Sequence, residues 1–253
     1  MCYYGEGDIM QRYFVEEKLK LNHLFSCQED QIKHMSRVMR FRPKTQVICI
    51  DPFENVFLCE IQNVDSGQLL PIEKLDDNHE LDVDVTLVYG LPKNDKFEFV
   101  LQKTTELGVN RIVPFFSQRS VIKGDKNSFS KKYVRYQRIL KEASEQSGRL
   151  KIPKLMPAIK LNEISQYLSD YNLVAYEEAS KQGEASHLSQ VMNSSYESIT
   201  IIVGPEGGFD EKEITYMKSL GIVECSLGKR ILRSETAPLY MMSVIGYKRE
   251  LMK

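Results

Sequence analysis

Two segments near the C-terminus carry the residues best suited to chemistry. Residues 204–208 (Gly-Pro-Glu-Gly-Gly) follow the β-branched run 201–203, and residues 227–237 contain Arg233 and Glu235. Glycine lets a ligand approach main-chain atoms closely. In an open α/β sheet, ligands bind at loops that follow the carboxyl ends of strands. The two segments therefore predict one small-molecule site that is built mostly from backbone.

The first segment lacks the features of a phosphate-binding loop. A P-loop ends in Gly-Lys-Ser/Thr, and the dinucleotide fingerprint is G-x-G-x-x-G; residues 204–208 match neither. The carboxylate of Glu206 would also repel a phosphate. The loop suits an uncharged ring system or a cationic centre. Taken alone, it could be a glycine-rich turn before a helix, and the Arg233–Glu235 pair could be a structural ion pair.

The composition is that of an ordinary globular protein. Of 253 residues, 42% are hydrophobic and 27% are charged. No run approaches the roughly 18 apolar residues of a membrane helix, and the first residues lack the pattern of an export signal. The five cysteines and four histidines show no metal-ligand spacing. We expect a cytoplasmic protein with no metal and no membrane partner.

Two basic segments stand out although the net charge is only −1. Residues 12–44 contain eight Lys and Arg against four acids, and residues 93–151 contain fourteen against six. Aromatic residues lie between these cations, a combination that indicates nucleic-acid contact. The alternative is a set of solvated helix faces that acids elsewhere balance.

The N-terminal part of the chain is predicted to be mainly β. Residues 46–51 and 56–64 are strand-like and are separated by a turn-like cluster, and residues 28–39 could form a short helix. Residues 73–80 are polar, acidic and unpatterned. We therefore place a first domain at 10–72 and a linker at 73–80.

From residue 81 onward, strands and helices alternate. Asp210 and Glu213 form a capping-box pattern, and Pro238 suits the first turn of a final helix. Strands are predicted at 83–89, 109–116, 173–176, 199–203 and 222–227, and helices at 96–107, 131–147, after Asp210 and after Glu235. This alternation predicts an α/β domain with a largely parallel sheet covered by helices.

Several sequence blocks resemble the SPOUT superfamily, most closely the RsmE family of 16S ribosomal RNA uridine-N3 methyltransferases. The resemblance extends from Met10 onward. Its blocks are residues 10–15, 34–40 (His-Met-Ser-Arg-Val-Met-Arg), 103–109 (Lys-Thr-Thr-Glu-Leu-Gly-Val), 138–149 and the two C-terminal loops. Residues 43–45 depart from the family, which usually has a glycine and an acid there. Residues 1–9 precede the family's usual start, so we expect a disordered extension or initiation at Met10.

The resemblance implies a two-domain enzyme. Residues 81–253 would form a SPOUT domain with a deep trefoil knot that binds S-adenosylmethionine, and residues 10–72 a PUA-like RNA-binding β-barrel. The substrate would be 16S rRNA or the assembled small subunit. The protein would be a homodimer with its active site near the subunit interface.

Individual residues follow from the same resemblance. The predicted cofactor-binding residues are Tyr176, Val203, Gly204, Pro205, Glu206, Gly207, Gly208, Leu227, Gly228, Ile231, Leu232, Thr236 and Ala237. Arg233 is the predicted catalytic cation for negative charge on the uracil carbonyls, and Glu235 would orient it or accept the N3 proton. The predicted phosphate contacts are Arg12, Arg37, Arg40, Lys93, Arg119 and Arg149.

Three other functions remain open. One is a ribose 2′-O-methyltransferase of the same superfamily, against which the blocks around His34 and Gln146 argue. Another is a non-catalytic RNA-binding or ribosome-assembly protein, which would not need both intact loops. The last is a nucleotide-binding regulator, which the missing phosphate cradle disfavours.

Overall fold

A computed structural model describes residues 10–92, 96–117, 126–177 and 187–252, without the side chains of 126–128. The predicted extension 1–9 and the predicted phosphate contacts Lys93 and Arg119 lie outside these ranges. The chain divides into two compact units. The first comprises residues up to Glu80 together with Ser144–Lys151, and the second comprises Leu81–Ala143 and Ile152–Lys253.

The first unit contains a five-stranded sheet among its described residues. Its strands are β1 (Arg12–Phe14), β2 (Phe25–Ser26), β3 (Gln46–Ile50), β4 (Val56–Asn63) and β5 (Gln68–Leu75). Their order is β1-β3-β4-β5-β2. Strand β1 is parallel to β3, whereas β3, β4 and β5 form an antiparallel meander. The two strands predicted at 46–51 and 56–64 are confirmed.

The predicted helix at 28–39 is present in two parts. Helix α1 covers Glu29–Lys33, and a π-helical turn continues it over His34–Val38. The Tyr13 hydroxyl and His34 Nδ1 form a 2.9 Å hydrogen bond that anchors this turn. Lys44 adopts a φ of 72°, a conformation that glycine reaches without strain.

The first unit extends further along the chain than the composition of residues 73–80 suggests. Strand β5 continues to Leu75, and Asp77 is buried. Leu150, from the second segment of this unit, packs with Ile48 and Ile50. The segment predicted as a linker at 73–80 thus falls within the first unit, and Leu75 and Asp77 are its buried residues.

The second unit contains a seven-stranded sheet among its described residues. Every strand pairing in it is parallel. The strands are β6 (Asp84–Gly90), β7 (Arg111–Phe116), β8 (Lys154–Leu155), β9 (Ile159–Lys160), β10 (Tyr171–Ala175), β11 (Ser198–Val203) and β12 (Val223–Cys225). Their order is β12-β10-β11-β6-β7-β8, and β9 also pairs with β7. The predicted α/β fold with a parallel sheet is confirmed.

Helices cover both faces of this sheet. They are α2 (Lys96–Glu106), α3 (Lys126–Ser147), α4 (His187–Met192), α5 (Glu211–Ser219) and α6 (Thr236–Gly246), with a 3₁₀ helix at Leu161–Tyr167 and a π-helical turn at Tyr247–Leu251. One core joins the sheet to α2, α3, α4 and α6. Another joins it to α5 and the 3₁₀ helix. Strands β6 and β11 read as continuous apolar runs because both of their faces are buried.

Strand β11 marks the point where the strand order reverses. It lies between β10 and β6, both of which precede it in the chain. Helix α5 then begins at the predicted cap: the Asp210 side chain accepts a 2.8 Å hydrogen bond from the Glu213 N–H, and Glu213 Oε2 accepts a 3.0 Å bond from the Asp210 N–H. This reciprocal box fixes the exit of the loop between β11 and α5.

Candidate functional site

The candidate site lies at the carboxyl edge of the parallel sheet. Gly90 ends β6, Tyr176 follows β10, Gly204 follows β11 and Ser226 follows β12. Because β12, β10, β11 and β6 are parallel neighbours in that order, their carboxyl ends share one edge. Such an edge, at the reversal of strand order, is where ligands bind in open α/β sheets.

The loop after β11 is a tight turn that packs against an aromatic ring. We call residues 204–208 the glycine loop. The Gly208 N–H donates a 2.9 Å hydrogen bond to the Pro205 carbonyl, and Gly208 has a φ of 65°, which favours glycine. A Cβ on Gly204 would lie 3.1 Å from the buried ring of Phe209. The turn is therefore packed closely on its inner side.

Gly90 permits the close approach of two neighbouring chain segments. A Cβ at this position would lie 2.5 Å from both the Cδ and the N of Pro205. No real Cβ tolerates that distance from backbone, so residue 90 must be glycine for the glycine loop to keep its place. The end of β6 is thus a second wall of the site.

The loop after β12 runs from Ser226 to Glu235, and we call it the arginine loop. Ser226 Oγ accepts a 3.2 Å hydrogen bond from the Gly228 N–H, and Gly228 has a φ of 103°. At the other end, the Arg233 carbonyl accepts bonds from the N–H groups of Thr236 and Ala237. These bonds start α6 and fix the direction in which the chain leaves the loop.

A single ammonium group joins the two loops. Lys96, in the first turn of α2, places its Nζ 3.3 Å from Glu206 Oε1 and 3.2 Å from Glu235 Oε2. Glu206 belongs to the glycine loop and Glu235 to the end of the arginine loop. The structure therefore brings the two predicted segments together, and the bridge between them is a residue that the sequence did not single out.

The Lys96 ammonium and the Glu235 carboxylate favour each other's charged forms. Hydrogen bonds to Glu235, against a smaller effect of burial, and then to Glu206 raise the pKa of Lys96. Burial alone would raise the pKa of Glu235, but bonds from its own backbone N–H, from Lys96 and from Ser234 outweigh burial and lower it. Glu235 is therefore ionised at neutral pH.

Arg233 lies at the mouth of the site. Its side chain is 83% exposed, and its Nη1 lies 3.9 Å from Glu235 Oε1. Glu235 thus has a guanidinium on one carboxylate oxygen and the Lys96 ammonium on the other. The exposure of Arg233 leaves its donors available to a ligand that arrives from solvent.

The predicted cofactor residues lie on or beside these two loops. Leu227 and Leu232 are half-buried against the main core, and Ala237 is buried, whereas Ile231 is 84% exposed. Sequence reasoning missed Lys96 and Gly90. The sequence did contain a signal for both residues. They follow the predicted strand 83–89, and site residues collect after the carboxyl ends of such strands.

Two of the predicted phosphate contacts are held by carboxylates of the first unit. The Arg149 side chain is 2% exposed and lies 2.6 Å from Glu80. Burial opposes the charge of Glu80, yet bonds from Arg149 and from backbone N–H groups lower its pKa. Arg12 lies 2.6 Å from buried Asp77. These ion pairs favour structural roles for Arg149 and Arg12.

Arg37 and Arg40 have a different environment. Both are exposed, on and just after the π-helical turn, and Val38 and Met39 between them are exposed as well, at 66% and 39%. Arg40 has a φ of 53°, which turns the chain sharply there. A mixed cationic and apolar surface of this kind suits RNA phosphates and unstacked bases.

Neither a metal site nor a membrane span emerges from the described ranges. Within them, no three His, Cys, Asp or Glu side chains are grouped so that they could hold a metal ion. None of their helices combines the length and the apolar character needed to cross a bilayer.

Comparison with known proteins bears on both units. Residues 79–246 match the family model of an RNA methyltransferase domain, and residues 28–70 match that of an RNA methyltransferase PUA domain. Ribosomal RNA small subunit methyltransferase E of Bacillus subtilis is 42% identical over 96% of this chain and 99% of its own length. The chain belongs to this family.

Solved structures agree with that membership. Ribosomal RNA small subunit methyltransferase E of Neisseria gonorrhoeae, bound to S-adenosylmethionine, has a TM-score of 0.83 at 27% identity and covers 94% of this chain and 97% of its own. A protein from Legionella pneumophila solved with the same cofactor has a TM-score of 0.84 at 26% identity, with equal coverage. The two-unit fold described above is therefore that of the methyltransferase E family.

Proposed function

We propose that this protein transfers a methyl group from S-adenosylmethionine to N3 of one uridine in 16S ribosomal RNA. Methylation of small-subunit rRNA follows from membership of the methyltransferase E family. S-adenosylmethionine is the cofactor bound in two structural neighbours. The choice of N3 goes one step further and rests on the family resemblance of the two C-terminal loops.

The observation that carries the proposal is the full-length relationship to a ribosomal RNA methyltransferase. The matched family model, residues 79–246, includes both the glycine loop and the arginine loop. A protein that had lost the reaction would not need to keep both of them. The non-catalytic alternative is disfavoured for this reason.

The chemistry of the site fits the cofactor. S-adenosylmethionine carries a positively charged sulfur and no phosphate, and the glycine loop offers a carboxylate, Glu206, and closely packed backbone. We propose that the residues predicted above hold the cofactor. They are Tyr176 and residues 203–208, 227–228, 231–232 and 236–237. When bound, it supplies the methyl group, and its sulfur becomes a neutral thioether as the methyl leaves.

The reaction at N3 requires a proton to leave and negative charge to be accommodated. We propose that Arg233 donates hydrogen bonds to a uracil carbonyl as charge spreads onto it. We propose that Glu235, ionised and 15% exposed, orients Arg233 or accepts the N3 proton. The base must be removed from its stack to reach these groups.

The first unit is proposed to bind the RNA. Arg37 and Arg40 are its proposed phosphate contacts, and Arg12 and Arg149 are omitted because of their ion pairs. Lys93 and Arg119, which belong to the second unit, are further phosphate contacts proposed from the sequence. A PUA-like barrel is proposed for its fold, in line with the matched family model. Phosphate contacts give affinity that falls with salt. The substrate is 16S rRNA or the assembled small subunit.

A trefoil knot is proposed for the second unit. The insertion of β11 between the earlier strands β10 and β6 supports this topology, which would be an exception to the rule that chains do not thread their own loops. The proposed location of the protein is the cytoplasm, where ribosomes are assembled.

A homodimer is proposed as well. Tyr247, Leu251 and Met252, at the end of the chain, are 56%, 74% and 53% exposed, and exposed apolar side chains that lie together mark interaction surfaces. Light scattering after size-exclusion chromatography is expected to give twice the mass of 29.3 kDa. A mass of one chain at micromolar concentration would contradict the dimer.

Deletion of the gene provides the test of function. Digestion of 16S rRNA from the deletion strain, followed by mass spectrometry, is expected to show the loss of one N3-methylated uridine. Complementation with the wild-type gene should restore it. Loss of a ribose 2′-O-methyl group instead would favour the second enzymatic candidate. If every rRNA methyl group persisted, the proposed activity would be wrong.

A further inference from the structure

Lys96 occupies an unusual place among the lysines of the second unit. It approaches carboxylates from two separate loops at 3.3 Å and 3.2 Å, and its own side chain is only 34% exposed. An exposed ion pair between neighbours on one helix contributes little. A cation that bridges two loops differs, because its loss would remove a contact from both loops at once.

A buried hydroxyl lies beside this bridge. Tyr89 is buried at the end of β6, and its hydroxyl lies near the Ser234 side chain. Burial raises the pKa of Tyr89, nearby Ser234 opposes that rise, and the charges of Glu235 and Glu206 add to it. The hydroxyl is therefore a protonated donor close to Ser234 and to both carboxylates.

We infer that Lys96 is a positioning residue that holds Glu235 in place against the glycine loop, so that the carboxylate faces the reacting uracil beside Arg233. The inference rests on the proposed function and adds a residue to that same site.

The electrostatics of Glu235 give the mechanism of positioning. The groups that face it are Lys96, Arg233, Ser234 and the more distant Glu206 and Tyr89. Without Lys96, Glu235 would keep Arg233 at 3.9 Å, and the Glu235 and Glu206 carboxylates would lose the ammonium between them. Their repulsion would separate the loops, and the pKa of Glu235 would rise, since a like charge disfavours ionisation.

The experiment compares Lys96→Met with Lys96→Arg. We expect Lys96→Met to lower kcat on 16S rRNA by about tenfold or more, because a misplaced group costs at least that much. The acidic limb of its pH profile should move to higher pH, because Glu235 must then lose its proton at a higher pH. Lys96→Arg should restore the limb. The Kd for S-adenosylmethionine alone, from calorimetry, should change less than kcat.

Arg135→Met is the matched control. Arg135 lies 2.6 Å from Glu98, whose side chain is 15% exposed, as that of Glu235 is. This variant removes an ion pair to an equally buried acid outside the two loops, and it should leave both kcat and the pH profile unchanged.

The outcomes separate this inference from the proposed function. If the wild-type protein methylated no rRNA, the proposed function would fail. If the wild type were active and Lys96→Met kept its kcat and its pH profile, the role of Lys96 would be refuted. A fall in kcat with an unmoved acidic limb would equally refute it, since that is the pattern of a purely structural loss.

Discussion

Replacing Arg233 by alanine is expected to lower kcat by about 100- to 1,000-fold, the range found when one preorganised donor to a developing negative charge is removed. The Kd for S-adenosylmethionine should stay unchanged. The reason is geometric: the Arg233 side chain is 83% exposed, and its ion pair is with Glu235, outside the glycine loop. Single-turnover methylation of 16S rRNA and calorimetry with the cofactor alone would measure the two quantities.

Lys229→Ala is the control for this result. Lys229 is an exposed cation of the same loop, so its removal makes the same change in net charge without touching Glu235. If both variants lost kcat equally, the effect would belong to the general charge of the loop, and Arg233 would have no specific part in transfer. An unchanged kcat in Arg233→Ala would remove it from the catalytic role altogether.

Substitution of Gly90 by alanine is expected to abolish most cofactor binding and to destabilise the protein. The added Cβ would lie 2.5 Å from the backbone nitrogen of Pro205, which cannot rotate away as a flexible side chain would. Overpacking of this kind costs about 1–3 kcal/mol of unfolding free energy. The clash with Pro205 would also displace the glycine loop, to which Pro205 belongs. Urea unfolding and calorimetry with S-adenosylmethionine would measure both effects.

Gly246→Ala provides the comparison. Gly246 is the last residue of α6, and the nearest atom to an added Cβ is a Glu250 carboxylate oxygen at 3.9 Å. Alanine is better than glycine in a helix by about 0.5–1 kcal/mol, so this variant should be as stable as the wild type or more stable. Normal cofactor binding by Gly90→Ala would show that the contact with Pro205 does not position the loop.

Local patterns predicted much of the fold. Buried parallel strands require continuous apolar runs, and these identified β6, β7, β10 and β11 within a few residues. The capping box of Asp210 and Glu213 predicted the start of α5 because it depends on neighbours three residues apart. The short strands β8 and β9 and helix α4 were missed, because two to six residues carry too little periodicity.

Other features depend on partners that are distant in the chain. Arg12 and Arg149 looked like surface cations, yet Asp77 and Glu80 hold them, and those acids belong to a segment whose composition resembled a linker. A sequence pattern records the charge of a side chain but not its burial. Tertiary packing decides whether such a cation faces RNA or an internal carboxylate.

The two C-terminal loops show where the division lies. The sequence alone determined that they follow strands, that the first lacks the pattern of a phosphate-binding loop, and that the pair resembles a methyltransferase site, since these properties reside in residue types and local spacing. Only the tertiary structure decided that Lys96 joins Glu206 to Glu235 and that Gly90 admits Pro205. Both contacts span more than 100 residues, and it is the parallel pairing of β6 with β11 that brings them together.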